Sequence, residues 1–329
     1  MKNLIIRPKG IGDIVLMIPV LQSLLKNYPD DEFTLLCYKG FGLVLPPQLK
    51  IKVIEFNPHE SFFDALKLIK RIRREKFDRV FDLFGNLRTA IQTLLSGTKE
   101  RYGFKYRYRH IAYNHKYSLG AEDIHQTLLY CNFFKKFGFN CENNQPEFKI
   151  PFNIIEKAKD AIPKEYSNLK PFIAINPNSK YLIKTWPEEN VIDFINLWYE
   201  KKKIPVMITF GPGEENTAKN IVNKVGKEKA FLHNPTKLNE FVGLLSLLDV
   251  FITCDSGPMH IAWANGTKVV SLFGPTNEIH LKPLGDQNIA LITNTLDCLR
   301  CYKSYCPHRK CMYAITPQMV LEAVETLLK

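Results

Sequence analysis

Long apolar runs are missing from this sequence of 329 residues. No stretch approaches the ~20 consecutive apolar residues that a membrane-spanning helix needs. The apolar run at Leu4–Ile6 is too short for a signal peptide and is followed by Arg7 and Lys9. We therefore expect a protein that stays in the cytoplasm, where its eight cysteines are reduced thiols rather than disulfides.

A complete glycine-rich dinucleotide fingerprint is also missing. The first expected strand, Leu4–Arg7, is followed by Gly10 and Gly12, but no third glycine continues the pattern. Because that pattern forms the turn on which a dinucleotide pyrophosphate rests, its absence argues against a nucleotide-dependent oxidoreductase.

Acidic residues are in short supply, with 33 Asp and Glu against 45 Lys and Arg, and the formal net charge is +12. Residues 1–150 hold 24 basic and 15 acidic side chains, a net of +9, and residues 151–329 hold 21 and 18, a net of +3. Residues 67–116 alone hold 14 basic and 4 acidic side chains, a net of +10. This field favours an anionic partner, which could be a nucleic acid, a membrane face or a phosphorylated small molecule. Arginines alternate with aromatic residues over residues 101–110.

Short apolar runs alternate with amphipathic stretches along the whole chain, a pattern that predicts a parallel sheet with helices on both faces. Strands are expected at Leu4–Arg7, Phe33–Tyr38, Lys52–Phe56, Arg79–Leu83, Phe172–Asn176, Val206–Phe210, Val250–Cys254 and Val269–Phe273. Helices are expected at Ile14–Asn27, Phe62–Arg74, Ile124–Phe137, Pro187–Lys201, Glu214–Val225, Leu238–Leu248 and Pro258–Asn265.

The polar stretch Asn140–Pro146 resembles a linker. The sequence therefore predicts two doubly wound α/β domains, residues 1–150 and 151–329. Ligands of such sheets bind beyond the carboxyl ends of the strands, so the gap between the two domains is the expected binding place.

The first candidate segment joins the first expected strand to the first expected helix and reads Arg7-Pro8-Lys9-Gly10-Ile11-Gly12-Asp13. Its glycines allow a tight turn and a close approach by a ligand. Asp13 is expected just before the helix. There its carboxylate either caps backbone N–H groups or points into the ligand site as a general base.

Two further strand ends belong to the second predicted domain. Small polar residues and lysines precede a helix at Asn176–Lys180 and Lys184–Glu189, and Ser179 and Lys184 are among them. This combination suits the binding of a diphosphate. An ordinary capped loop fits the same pattern. Glu214 follows another strand, where its carboxylate either accepts from ribose hydroxyls or complements a helix dipole.

The segment Thr253–His260 again passes from strand to turn to helix. Asp255 or Ser256 can cap the helix, and Gly257 leaves the backbone open to an anion in front of the helix dipole. His260 faces either a ligand or the core.

Half of the cysteines lie within 14 residues, at Cys298, Cys301, Cys306 and Cys311. Four thiolates can hold zinc, but the usual arrangement is two close pairs separated by a longer loop. Thiols packed near a C-terminal helix are the favoured interpretation, and a metal site stays open as the alternative.

Together these segments resemble the heptosyltransferase family of glycosyltransferases, which builds the inner core of lipopolysaccharide. Its opening pattern is matched by Arg7, Gly12, Asp13 and Pro19. Its Asp-Ser/Thr-Gly block with a following histidine and alanine is matched by Asp255, Ser256, Gly257, His260, Ala262 and Ala264. Further matches are Phe273-Gly274-Pro275-Thr276 and the cysteine block ahead of Ile315, Pro317 and Val320.

The resemblance implies the GT-B fold, two facing Rossmann-like domains of which the first binds the acceptor and the second binds ADP-L-glycero-D-manno-heptose. It implies inversion at the anomeric carbon, with Asp13 taking the proton from the acceptor hydroxyl. The donor-binding residues it implies are Ser179, Lys184, Glu214, Asp255, Ser256, Gly257 and His260. The acceptor, phosphorylated lipid A with its core, is expected to contact Gly12, Arg101, Arg107 and Arg109.

No Asp-x-Asp occurs in the chain, so the carboxylate pair with which another common glycosyltransferase fold clamps a metal is missing. We therefore expect no cofactor, and no metal ion at the site of transfer. The basic residues 67–116 are expected to meet acceptor phosphates and the anionic inner membrane, which predicts a peripheral location and no nucleic-acid partner.

Two other interpretations remain. One is a related transferase with a UDP- or GDP-hexose donor. The other is a nucleic-acid-binding protein that uses residues 67–116, which would leave Asp13, Lys184 and Asp255–His260 unexplained.

Overall fold

A computed structural model describes residues 1–59, 61–120, 123–142, 145–146, 148–294 and 296–329. The chain divides into two compact units, Met1–Glu147 and Phe148–Lys329. Among the described residues no helix is long and apolar enough to cross a membrane.

Unit 1 contains a six-stranded parallel sheet in the order β3-β2-β1-β4-β5-β6. Its strands are β1 (Lys2–Ile6), β2 (Glu32–Tyr38), β3 (Lys52–Phe56), β4 (Arg79–Asp82), β5 (Glu100–Phe104) and β6 (His115–Tyr117). Its helices are α1 (Ile11–Asn27), α2 (Phe62–Glu75), α3 (Leu87–Leu94) and α4 (Gln126–Lys136). A 3-10 helix at Arg107–Ala112 connects β5 to β6.

Unit 2 repeats the plan with a second parallel sheet in the order β12-β11-β10-β7-β8-β9. Its strands are β7 (Ile173–Asn176), β8 (Val206–Ile208), β9 (Ala230–Leu232), β10 (Val250–Cys254), β11 (Lys268–Leu272) and β12 (Asn288–Leu291). Its helices are α5 (Phe152–Lys159), α6 (Glu188–Lys202), α7 (Glu215–Val225), α8 (Leu238–Leu245), α9 (Gly257–Ala264), α10 (Glu278–Leu281), α11 (Lys310–Tyr313) and α12 (Pro317–Leu328).

The core of each unit explains why these elements form. The central strands β1 and β10 are buried almost throughout, because helices cover both faces of each sheet. In unit 2, Phe194 and Trp198 of α6 and Val324 of α12 belong to one buried cluster. The continuous apolar runs in the sequence are therefore strands buried on both sides.

Each sheet has one place where the strand order reverses, between β1 and β4 in unit 1 and between β7 and β10 in unit 2. Loops at such a switch point diverge to opposite faces and leave a crevice for ligands. The predicted segments Arg7–Asp13, Asn176–Lys180 and Thr253–His260 begin at or next to the ends of three of these strands, β1, β7 and β10. The prediction of doubly wound parallel sheets is confirmed.

Several elements differ from the expectation. Helix α1 begins at Ile11 rather than Ile14, so Asp13 lies in its first turn and not before it. The short elements β5, β6, α3, β9 and β12 were not predicted, because runs of three to eight residues carry too little periodicity.

The expected linker is packed over its first part. The backbone N–H of Asn140 donates to Tyr28 Oη at 2.8 Å, and that of Glu142 donates to Ser23 Oγ at 2.8 Å. Cys141 is fully buried between them. Residues 140–142 are therefore part of unit 1, while positions 143 and 144 of the expected linker lie outside the described residues.

Candidate functional site

The loop after β1 places Asp13 beside a buried arginine. An Arg7 Nη lies 2.7 Å from Asp13 Oδ1, and Arg7 Nε donates to Tyr130 Oη at 2.8 Å. Gly10 precedes α1 with φ of 90°, and a Cβ there would come 2.1 Å from Asp13 Oδ2. Glycine is required at this position both by the backbone and by the carboxylate that lies over it.

Arg7 is held on several sides. Its guanidinium carbon lies 5.0 Å from the centroid of the Phe84 ring, in addition to the contact with Tyr130. Burial lowers the pKa of Arg7, but the neighbouring Tyr130 and Asp13 outweigh this effect and leave its pKa raised. Arg7 therefore stays a cation and orients the Asp13 carboxylate. Asp13 does not cap the helix, since the N-cap residue is Gly10.

The ends of β4 and β5 contribute a second group to the same edge. Buried Asp82 accepts from Tyr113 Oη at 2.7 Å and from the backbone N–H of Gly85 at 2.9 Å. Burial raises the pKa of Asp82. Burial also raises the pKa of Tyr106, and the positive charges of Arg7 and Arg109 oppose this increase. The guanidinium carbon of Arg109 lies 5.5 Å from the centroid of the Tyr106 ring.

The three arginines proposed for the acceptor differ in their contacts. Arg107 and Arg109 lie in the 3-10 helix beyond the carboxyl end of β5, and Arg107 is exposed. Arg101 lies near the other end of β5, where its guanidinium donates to the carbonyls of Ala112 at 2.9 Å and Thr98 at 2.7 Å. Arg101 thus binds the last residue of this 3-10 helix and supports the local backbone.

In unit 2, loops after three strands converge on one carboxylate. Lys184 Nζ donates to Asp255 Oδ2 at 2.6 Å, and Thr276 Oγ1 donates to the same oxygen at 2.7 Å. These residues follow β7, β10 and β11 respectively. The Asp255 carboxylate, predicted to contact the donor, is buried in the structure and holds Lys184 and Thr276 through these hydrogen bonds.

Helix α9 begins directly beyond Asp255. Ser256 is its N-cap residue and makes no side-chain capping bond; its Oγ lies 3.4 Å from Thr253 Oγ1. Gly257 is the first helical residue, and His260, one turn further, is buried. The helix thus begins two residues after the carboxylate that binds Lys184.

The remaining predicted donor residues lie in neighbouring loops. Ser179 is half-buried, one residue beyond Asn178, whose N–H donates to Asn176 Oδ1 at 3.1 Å. Glu214 is the N-cap residue of α7, and its Oε2 accepts from the backbone N–H of Gly211 at 2.8 Å. Gly12 lies in the first turn of α1.

The two ion pairs expose opposite partners. In unit 1 the Arg7 side chain is 11% exposed and Asp13 is 30% exposed, so the carboxylate is the accessible member. In unit 2 Asp255 is 6% exposed and Lys184 is 20% exposed, so the cation is the accessible member. One site therefore offers a proton acceptor and the other offers a positive charge.

The C-terminal cysteines lie in a segment that folds back on the loop after β11. Burial raises the pKa of Cys311, and the nearby Cys298 and Cys301 raise it further. A Cβ on Gly274 would come 2.9 Å from Cys311 Sγ, which shows how closely this segment packs. Within the described part of the chain, no group of three or more His, Cys, Asp or Glu residues is arranged to hold a metal ion.

Sequence reasoning missed Arg7 and Thr276 as site residues. Both were part of the quoted patterns, and both follow the ends of strands, which was the available signal. It also missed the pair between Glu278 and Arg300, in which Arg300 donates at 2.5 and 3.0 Å.

Known proteins are similar to this chain over its whole length. Lipooligosaccharide heptosyltransferase 2 of Campylobacter jejuni is 28% identical over 342 aligned positions, which cover 100% of this chain and 99% of that protein. The structure of E. coli ADP-heptose LPS heptosyltransferase II superposes with a TM-score of 0.84 at 20% identity, covering 100% of this chain and 98% of that one. E. coli heptosyltransferase WaaC with ADP gives a TM-score of 0.76 at 18% identity, with 99% and 100% covered.

The two doubly wound sheets and these structural likenesses define a protein of the GT-B fold. The family model for glycosyltransferase family 9 (heptosyltransferase) matches residues 65–312, which is most of the chain. The chain belongs to glycosyltransferase family 9 and is an enzyme that transfers a sugar.

Proposed function

We propose that this protein transfers a heptose from ADP-L-glycero-D-manno-heptose to the inner core of lipopolysaccharide or lipooligosaccharide, with inversion at the anomeric carbon. Family membership and the names of its relatives support this activity. The observation that carries the proposal is the opposite exposure of the two ion pairs, because inverting transfer needs one accessible base and one accessible cation.

Asp13 is the proposed general base. Arg7 binds Oδ1, and Oδ2 lies over Gly10, where no side chain covers it. In the reaction Oδ2 takes the proton of the acceptor hydroxyl while that oxygen attacks the anomeric carbon, and the bond from this carbon to the ADP oxygen breaks. A positioned base of this kind contributes about 10²–10⁴-fold to the rate.

Unit 2 is the proposed donor site, with the leaving diphosphate beside Lys184 and the N-terminus of α9. Negative charge develops on the ADP oxygen as the bond breaks, and a fixed ammonium group stabilises it. Ser179, Ser256 and Gly257 provide hydroxyl and backbone donors near this point. Glu214 is proposed to bind the ribose, and His260, one turn into α9, is proposed to complete the diphosphate end of the site.

Unit 1 is the proposed acceptor site. Gly12 permits close approach at the start of α1, and Arg107 and Arg109 meet the acceptor phosphates beyond β5. Arg101 is left out of this set because its guanidinium is bound to backbone carbonyls. Phosphorylated lipid A with its core is the proposed acceptor.

The net charge of +10 over residues 67–116 supports a peripheral position on the anionic cytoplasmic face of the inner membrane. Near such a surface each basic residue contributes about 1 kcal/mol. Nucleic acid has no part in the proposal, and steeply salt-dependent DNA or RNA binding by the isolated protein would count against this assignment of the charge.

The direct test is to incubate the protein with ADP-heptose and a truncated core acceptor and to measure the product mass. A gain of one heptose is expected with ADP-heptose. UDP- and GDP-hexoses, tested in parallel, should give no product. Transfer from one of these hexose donors, without transfer from ADP-heptose, would replace the proposed donor and leave the family assignment intact.

A further inference from the structure

Helix α3 (Leu87–Leu94) buries a mostly polar face and exposes an apolar face, which is the reverse of a helix on a water-facing surface. Its buried face consists of Thr89, Ala90, Gln92 and Thr93. Its outer face consists of Leu87, Ile91 and Leu94, whose exposed fractions are 67%, 43% and 49%. The spacing of these three residues is that of a single helical stripe, which in a globular protein normally faces the core.

The neighbouring 3-10 helix extends this apolar face. It packs against α3 through a small buried cluster of Ala90, Ala112 and Tyr113. The same 3-10 helix leaves Tyr108 and Ile111 exposed. Apolar side chains from two segments of unit 1 that pack against each other therefore face solvent, and contiguous exposed patches of this kind mark interaction surfaces.

Helix α2 lies beside α3, and the two segments approach each other near each end of α3. Arg88 Nη1 donates to the Pro58 carbonyl at 2.9 Å, just ahead of α2, and a Cβ on Gly97, beyond the end of α3, would lie 3.6 Å from Arg73 Nε. The first turn of α2 exposes two more aromatic residues, Phe62 and Phe63.

Positive charge surrounds the apolar stripe. The outer face of α2 exposes Lys67, Lys70, Arg71, Arg73 and Arg74. Arg107, next to Tyr108 in the 3-10 helix, is also exposed. An apolar stripe with a cationic border matches the boundary of an anionic bilayer, where acyl chains meet negative headgroups.

We propose that the stripe Leu87, Ile91 and Leu94, together with Tyr108 and Ile111, inserts into the surface of an anionic phospholipid bilayer while the basic residues of α2 bind its headgroups. This deepens the proposed function, since it rests on an acceptor that is anchored in lipid. A second copy of this chain fits the surface less well, because pairing two such faces would bring two strongly positive borders together.

The test uses the full-length protein and sedimentation with phosphatidylcholine vesicles that contain or lack phosphatidylglycerol. The variant replaces the three stripe residues, Leu87→Gln, Ile91→Gln and Leu94→Gln. Because these side chains are exposed, the fold should be retained. We expect binding to the anionic vesicles to weaken on the order of 10- to 100-fold, since three aliphatic side chains lose their apolar environment.

The matched control removes three exposed apolar side chains elsewhere, with Leu43→Gln, Phe152→Gln and Tyr305→Gln. It should bind the vesicles as the wild type does. A charge variant, Lys67→Gln with Lys70→Gln and Arg71→Gln, should bind more weakly and lose much of the salt dependence. Equal binding by the stripe variant and the wild type would overturn the proposal, and so would a wild-type dimer that this variant converts to a monomer.

Activity provides a second readout. The stripe variant should keep its kcat on a water-soluble, deacylated acceptor and lose activity on the same core embedded in vesicles. Equal loss on both acceptors would overturn the membrane assignment of the stripe. If no heptose transfer occurred at all, the proposed function would fail, whereas the vesicle measurement would still decide whether this face binds lipid.

Discussion

The two units use the same strand order and place a cation–carboxylate pair next to the same topological position. They differ in which partner is buried. Unit 1 fixes Arg7 between aromatic rings and exposes Asp13, whereas unit 2 fixes Asp255 between two donors and exposes Lys184. Two similar Rossmann-like units thus expose opposite charges.

This difference follows from the immediate surroundings of each pair. Tyr130 and Phe84 shield the guanidinium of Arg7 on its outer sides, so the carboxylate is left at the surface. Thr276 binds the Asp255 oxygen that also accepts from Lys184, so the lysine stem extends outward from a buried anchor. This arrangement indicates opposite roles for the two pairs, and substitutions in each pair can distinguish them.

The largest effect is expected for Asp13→Asn. An amide cannot accept the hydroxyl proton, so kcat should fall about 10²–10⁴-fold. The KM for the nucleotide sugar should change little, because the donor is assigned to the other unit. Steady-state kinetics with both substrates measure this, and an Asp13→Asn enzyme with the native rate would remove Asp13 from the mechanism.

Lys184→Gln is expected to have the next largest effect. Loss of a fixed charge at the leaving diphosphate should lower kcat about 10²–10³-fold. Asp255 would also lose its cation and remain buried, so the melting temperature should fall. The matched control is Lys180→Gln in the same loop, whose lysine is exposed. Similar losses in the two variants would show that general charge, rather than the ion pair, is what matters.

Gly10→Ala, compared with a second glycine variant, distinguishes backbone strain from displacement of the Asp13 carboxylate by the added Cβ. Its partner is Gly266→Ala, because the two glycines have φ of 90° and 82° but a Cβ meets no atom within 4 Å at Gly266. Both variants should lose about 1–2 kcal/mol of stability, since a residue with a Cβ is forced into the left-handed region. The alanine at position 10 should also displace Asp13 and lower kcat about tenfold or more. Equal activity in the two variants would show that the position of Oδ2 is unimportant.

Glu278→Gln should lower the stability of the fold and change how this stability depends on pH. Its effect on kcat should be small. Burial raises the pKa of Glu278, but the two hydrogen bonds from Arg300 outweigh this and hold its pKa below the ordinary value of 4.5. The pair therefore stabilises the fold above about pH 4.5, and this contribution disappears as the pH falls through the lowered pKa.

The Gln variant should be about 1–3 kcal/mol less stable at neutral pH, because a hydrogen-bonded charge pair is lost. The difference from the wild type should shrink in acid. Urea unfolding at several pH values measures it, and a difference that stays constant with pH would contradict the assigned ion pair.

Much of the fold was predictable because parallel strands buried on both faces leave continuous apolar runs, as at Val250–Cys254. The expected start of the first helix lies three residues too late, because glycines such as Gly10 and Gly12 are typical of a loop. In the structure Ile11 and Gly12 are helical. Helix α3 was missed altogether. Its exposed leucines and buried threonines do not fit a water-facing surface, and only its neighbours show which side is covered.

The sequence predicts which loops carry the candidate site, but not which side chains in them contact each other. The chain order places Asp13, Ser179, Lys184 and Asp255 at the carboxyl ends of strands, and chemistry restricts what these side chains can do. Spacing along the chain does not show that the Arg101 guanidinium binds the backbone carbonyls of Thr98 and Ala112, because these contacts form only in the folded structure.

The sequence alone determined the family, the two α/β units and the strand ends that carry polar groups, because these depend on local composition and chain order. The tertiary structure decided which member of each ion pair is exposed. Exposure depends on side chains distant in sequence, such as Tyr130 beside Arg7 and Thr276 beside Asp255, and such contacts form only when the chain has folded.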